Sequence, residues 1–182
     1  MTSDHSKPVL VLNSSTLIVL YELNRLDLLK KLEKKFKVSI PSTVAEEMKN
    51  SPINLDHSLV VQVNINNISS NLQPYIIGLG HGELGALALA YKLRSKREAI
   101  VITDDEKARK TCQRLNIKVR GTVGLIKIAY EHNIISKEQA INLINQIKET
   151  SLYITDQIIR QAIQQIKTQE NEHSYNSRKT HH

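Results

Sequence analysis

Four short runs of apolar, largely β-branched residues recur along the chain: Val9–Leu12, Val38–Ile40, Ala99–Ile102 and Ile117–Val119. Runs of this length between polar segments read as buried strands. A weaker fifth run, Leu59–Ile65, alternates Val61, Val63 and Ile65. Between the runs the apolar residues adopt helical spacing. Leu26, Leu29, Leu32 and Phe36 follow it, as do the segments Leu17–Leu20, Leu84–Leu93, Lys137–Glu149 and Thr155–Lys167. Strands that alternate with helices need crossover connections, and these build a parallel sheet with helices on its faces. The expected class is therefore α/β, with a central parallel sheet.

Local signals place the helix starts. Pro41 suits the first turn of a helix that Ser51-Pro52 breaks near Asn50. Thr103 with Glu106 reads as a capping box, and Ser136 with Gln139 as a second. Gly121-Thr122 opens a helix to about His132, and Asn64–Pro74 reads as loop. Gly78-Leu79-Gly80-His81-Gly82 reads as a turn leading into the helix that Glu83 opens. It lacks the preceding strand and the Lys-Ser/Thr of a phosphate-binding P-loop.

At 182 residues, 40% hydrophobic and 24% charged, the chain has the length and composition of one globular domain. The expected domain is 8–168, with residues 136–168 as a helical extension and 169–182 as a disordered polar tail. The single cysteine, Cys112, excludes a disulfide framework and a Cys-rich zinc site. No apolar stretch nears the ~20 residues of a membrane span, and the first residues make a poor signal peptide. A cytoplasmic location, with no membrane partner, is the expectation.

The formal charge is +7. It concentrates between Lys92 and Arg120, with ten Lys or Arg against four acids, a local balance of 10 − 4 = +6. A basic balance fits a polyanion such as RNA. With aromatics at 4% and no Trp, a stacking platform is not expected, so the phosphate backbone is the expected contact. The candidate contacts are Arg94, Lys96, Arg97, Lys107, Arg109 and Lys110.

In open parallel sheets, functional groups collect at the carboxyl ends of the strands. That rule selects Asn13, the Pro41–Glu47 segment and Thr103-Asp104-Asp105, and the helix-opening Glu83 joins them. Each acid also has a structural reading. Acids in a first helical turn gain about 0.3–1 kcal/mol from the helix dipole, and Glu46 and Glu47 can be solvated. Brought together, carboxylates repel and call for a cation. Mg²⁺ and Mn²⁺ accept such hard oxygen ligands and can activate water against a phosphodiester.

Four stretches carry a family resemblance: VLVLNSSTLIVLYELNRLDLLKKL, VSIPSTVAEEM, LGHGELGALALAYKL and VITDDEKARKTCQRLNIKVRGTVGLIKIAYEHNIIS. In order and spacing they resemble PIN domains, and most resemble a prokaryotic branch described as nucleic-acid-binding. The last two helices are similar to that branch's helical extension. The resemblance spans Val9 to Ile166. It implies a three-layer α/β/α sandwich and an acidic metal site. It maps the site's acids onto Asn13, Glu47 (with Glu46 beside it), Glu83, and Asp104 (with Asp105 beside it). It further implies Mg²⁺- or Mn²⁺-dependent cleavage of single-stranded RNA, often by a toxin paired with an antitoxin. On that reading Glu47, Glu83, Asp104 and Asp105 are catalytic and hold the metal, with Asn13 as a neutral ligand. Asn13 is the departure, because an amide carbonyl can ligate but brings no charge.

Smaller features complete the reading. His81 is either a solvated loop histidine or a group at the metal or phosphate. Arg109 either pairs with an acid of the site, holds a phosphate, or makes a surface ion pair. Ser14 and Ser15 lack a histidine partner for nucleophilic catalysis, and Ser15 is expected to cap the first helix and orient Asn13. Cys112 packs. Ile141, Ile144, Ile158 and Ile163 lie at helical spacing and would suit a homodimer. Three functions stay open: a nuclease, a nucleic-acid-binding protein with a disabled site, and an interaction protein built on its last helices.

Overall fold

Val9–Leu12 forms β1, and all four of its residues are buried. A strand covered on both faces reads as a continuous apolar run, so β1 belongs at the centre of its sheet. The computed structural model, which describes residues 7–66 and 68–179 with side chains through residue 168, puts it there. Beside β1 lie β2 (Lys37–Pro41), β3 (Val60–Val61), β4 (Ala99–Ile102) and β5 (Lys118–Arg120). The sheet order is β3-β2-β1-β4-β5, and every pair is parallel.

The helices are α1 (Ser14–Glu22), α2 (Asp27–Leu32), α3 (Ser42–Glu47), α4 (His81–Leu93), α5 (Glu106–Arg114), α6 (Thr122–Glu131), α7 (Lys137–Gln146) and α8 (Asp156–Lys179). The architecture is the α/β/α sandwich expected from the sequence. Alternation along the strands divides the core. Val9, Val11, Ala99, Val101 and Val119 join Ala86, Leu87 and Ala90 of α4 and Cys112 of α5 in one cluster. Leu10, Leu12 and Ile102 point to the opposite face and are fully buried.

The structure departs from the sequence reading in three local places. The run Leu59–Ile65 yields only the two-residue edge strand β3. Beyond it, Val63 N–H donates to the Ser42 hydroxyl at 3.1 Å rather than to a ladder partner. Pro41 ends β2 and sits at the N-cap of α3, one position before the expected place in the first turn. Thr103 does not cap α5. The backbone stays extended through Asp105, whose own carboxylate takes the cap by accepting Ala108 N–H at 2.7 Å.

The chain divides into two compact units, residues 1–122 and 123–182. In the second, the expected capping box is present at the start of α7, with Ser136 accepting from Gln139 N–H at 3.2 Å and Gln139 Oε1 accepting from Ser136 N–H at 3.0 Å. Ile144 lies in the core, while Ile158 is 47% exposed. The polar tail expected from Gln169 lies outside the described side chains.

Candidate active site at the carboxyl edge of the sheet

From β1 the chain runs to β2 and β3 on one side, then returns to place β4 and β5 on the other. The crevice at such a reversal, outside the carboxyl ends of the strands, is where ligands bind in open parallel sheets. Asn13 follows β1 and Asp104 follows β4 by two residues, so both stand at this point.

Asn13 is 1% exposed. Its Nδ2 donates to Thr103 Oγ1 at 3.0 Å and, more weakly, to Glu83 Oε1 at 3.4 Å. Ser14 Oγ donates to Glu47 Oε2 at 3.0 Å and lies 3.4 Å from Asn13 Oδ1. Glu83 of α4 therefore approaches Asn13 directly, and Glu47 of α3 reaches it through Ser14. These helices come close because glycine faces the larger side chains. Gly82 lies under the Glu47 carboxylate and Gly85 against Thr43, and a Cβ at either position would overlap them. The same approach lets Gly82 N–H donate to Glu47 Oε1 at 2.6 Å. At Gly80, a Cβ would likewise overlap the Glu83 carboxylate.

Asp104 is held separately. Its Oδ1 accepts Thr122 N–H at 2.9 Å and its Oδ2 accepts the Thr122 hydroxyl. Its own N–H donates to Ser15 Oγ at 3.2 Å. Ser15 thus positions Asp104, and the expected cap on α1 is not made: Asn13 is the N-cap residue and forms no side-chain capping bond. Gly121 leaves room for both Asp104 and Arg109, since a Cβ there would lie 2.5 Å from Asp104 Oδ1 and 2.9 Å from Arg109 Nη1.

The structural reading of the acids is met at three of them. Asp105 caps α5, Glu47 binds the N-terminal backbone of α4, and Glu83 lies in the first turn of α4. Glu46 is exposed, and His81 Nδ1 lies 3.9 Å from its Oε2.

Of the six candidate phosphate contacts, two border this edge. The Lys107 side chain packs over Gly78, whose φ of +74° suits glycine, and Arg109 Nη1 lies 3.4 Å from Thr103 O. Lys110 pairs with Glu106 at 2.5 Å. Arg94, Lys96 and Arg97 follow the far end of α4, roughly 16 Å along the helix axis from Glu83. Arg94 stacks on Tyr91 at 3.6 Å and donates to Leu115 O at 3.0 Å. The basic segment is one cluster in sequence and at least two in space.

Sequence reasoning missed two groups, Ser14 and Thr122, which orient Glu47 and Asp104. Hydroxyls beside helix starts are common, and no spacing rule singled these out. Cys112 lies in the core beneath the site, and burial pushes its thiol up to about 12.

The fold is a doubly wound α/β/α sheet with acids at its switch point. A family model described as a PIN domain matches residues 9–168, and the chain belongs to that family. No curated protein matches it. PIN domains are generally dependent on divalent metals, and the fold points to nucleic acid as the partner. Among the described residues, no helix is long and apolar enough to cross a membrane.

The donor set fits a hard divalent ion in kind, with carboxylate oxygens from Glu47, Glu83 and Asp104 and the Asn13 carbonyl. As the side chains stand, no three His, Cys, Asp or Glu groups among the described residues surround one point. Glu47, Glu83 and Asp104 each accept a hydrogen bond from a protein donor.

Proposed function

We propose that the chain is a PIN-type ribonuclease that cleaves single-stranded RNA with Mg²⁺ or Mn²⁺, and that Asn13 weakens it. The observation that carries this reading is the approach of Glu83 to the buried Asn13 at the switch point, with Glu47 linked through Ser14 and Asp104 just beyond the neighbouring strand β4. Glu47, Glu83 and Asp104 would hold the ion, with Asn13 as a neutral ligand and Asp105 adjacent. A bound ion supplies positive charge for the phosphodiester and makes water easier to deprotonate. The chain's own residues do the rest. Ser14, Gly82 and Thr122 orient the carboxylates. Lys107 and Arg109, at the margins of the edge, bind the phosphates on either side of the scissile bond. Nothing in the geometry speaks for an antitoxin, and that pairing stays an implication of the family.

One observation favours binding without cleavage. Asn13 turns its N–H groups, not its carbonyl, toward Glu83 and Thr103. An ion between Asn13 and Glu83 would meet a donor there.

The deciding experiment is cleavage of a mixed single-stranded RNA with Mn²⁺, run beside EDTA and an Asp104→Asn variant. Cleavage lost in both controls supports the nuclease reading. RNA bound but uncut in every sample supports the binding reading.

A further inference from the structure

An acidic site without its cation needs something to hold like charges together. Here the group nearest two of the site's acceptors is an amide. Asn13 Nδ2 reaches Thr103 Oγ1 at 3.0 Å and Glu83 Oε1 at 3.4 Å. The orientation is fixed by Glu83, since a carboxylate only accepts. Asn13, Glu83, Thr103 and Cys112 line a recess, shared with Leu79 and Leu87, that has no room for a water molecule. Charge placed there is poorly screened by solvent.

We propose that the Asn13 amide stands in for a cation, holding Glu83 and Thr103 in place in the metal-free protein, so that an aspartate at this position would make stability depend on a divalent ion. The inference rests on reading this edge as the metal-binding edge of the PIN domain. The carboxylate introduced by Asn13→Asp has nearly the shape of the asparagine side chain. It would set an oxygen about as close to Glu83 Oε1 as Nδ2 is now, 3.4 Å, with the attraction turned into repulsion. The Thr103 hydroxyl can turn and donate to one new oxygen, but it offers Glu83 nothing. A proton or a cation must then make up the difference. Asn13 is thus a positioning residue: it lowers the charge of the site and preserves its shape. The two effects act in opposite directions on metal affinity and on stability without metal.

The test is thermal unfolding of three proteins, each in EDTA and in Mn²⁺. They are the wild type, Asn13→Asp, and the swap Asn13→Asp with Glu83→Gln, in which the donor passes to position 83. The wild type, whose site binds the ion weakly, should respond to Mn²⁺ by less than Asn13→Asp does. Asn13→Asp in EDTA should unfold roughly 3–8 °C lower, and Mn²⁺ should restore most of the loss. The swap should recover stability in EDTA and lose the response to Mn²⁺. An Asn13→Asp protein as stable as the wild type in EDTA overturns the proposal, as does one that Mn²⁺ fails to restore. If Asn13→Asp does not fold, the swap alone decides: a stable, metal-indifferent swap supports the proposal and an unfolded one overturns it. None of these readouts requires cleavage. A wild type that cuts no RNA with any metal removes the nuclease reading and leaves this one standing. A metal-indifferent Asn13→Asp in a protein that does cut RNA does the reverse.

Discussion

Glu47 binds the N-terminus of a helix that is not its own: its Oε1 accepts Gly82 N–H, in the first turn of α4, at 2.6 Å. The first backbone N–H groups of a helix have no partner within it. Gly80, the N-cap of α4, has no side chain to supply one. Glu47 does so from α3, and the bond joins the two helices at the edge where the site lies. The same contact explains the glycine, because a Cβ at Gly82 would overlap the Glu47 carboxylate.

This pair makes a prediction whose sign depends on its partner. Glu47→Ala should cost about 1–2 kcal/mol, as the loss of a helix cap does. Gly82→Ala should destabilise the wild type by displacing Glu47. In a Glu47→Ala background the overlap is gone, and alanine is the better helix former by up to ~1 kcal/mol. Gly82→Ala should there become neutral or stabilising. Urea unfolding of the four proteins in the cycle measures the coupling. Equal effects of Gly82→Ala in both backgrounds would show that the two residues do not interact.

The framework of this site was legible in the sequence because it rests on short-range signals. The run Val9–Leu12 is β1 and Ala99–Ile102 is β4, residue for residue, since strands buried on both faces leave an unbroken apolar record. The capping box at Ser136 formed because its hydroxyl, while donating to Glu138 Oε2, keeps a lone pair for Gln139 N–H. At Thr103 the same pattern failed. Asp105 is the stronger acceptor and lies closer to the helix, while Thr103 Oγ1 is taken by Asn13 and Asp105 N–H. The positions of Asn13 and Asp104 followed from the rule that functional groups collect at the carboxyl ends of the strands. The hydrogen bonds from Ser14 and Thr122 did not, because they join residues 33 and 18 positions apart and leave no periodic trace.

The basic segment shows the same limit and carries the second prediction. Lys92–Arg120 reads as one patch, but α4 runs antiparallel to the strands and delivers Arg94 and Lys96 far from Glu83. If RNA crosses the carboxyl edge, Lys107→Ala and Arg109→Ala should each weaken binding of a single-stranded RNA. Each should also lower the slope of log affinity against log salt by roughly 0.7, the value for one lost phosphate contact on a single strand. Arg94→Ala and Lys96→Ala should leave the slope unchanged. Fluorescence anisotropy across a salt series separates the two pairs. A slope that falls equally for all four would place the RNA along the whole basic segment instead.

Cys112 gives the last prediction, which concerns the core under the site. It is 1% exposed, and burial pushes its thiol up to about 12. In the unfolded chain a cysteine ionises near pH ~8.5. Between those values the unfolded state has lost a proton that the native state keeps. Stability therefore falls as pH rises through this window, and is fully present below it. The slope approaches about 1.4 kcal/mol per pH unit once the unfolded thiol is ionised. Lysines and tyrosines titrate in the same range, so the useful quantity is the difference from Cys112→Ala. That variant should start less stable at neutral pH, by the methylene-scale cavity it leaves, and the gap to wild type should narrow steadily above pH ~9. The native thiol should also resist alkylation at pH ~8 and react once urea opens the fold. A gap that stays constant from neutral to alkaline pH, or a thiol labelled as fast in the native protein as in urea, would show that Cys112 is not sealed beneath the site.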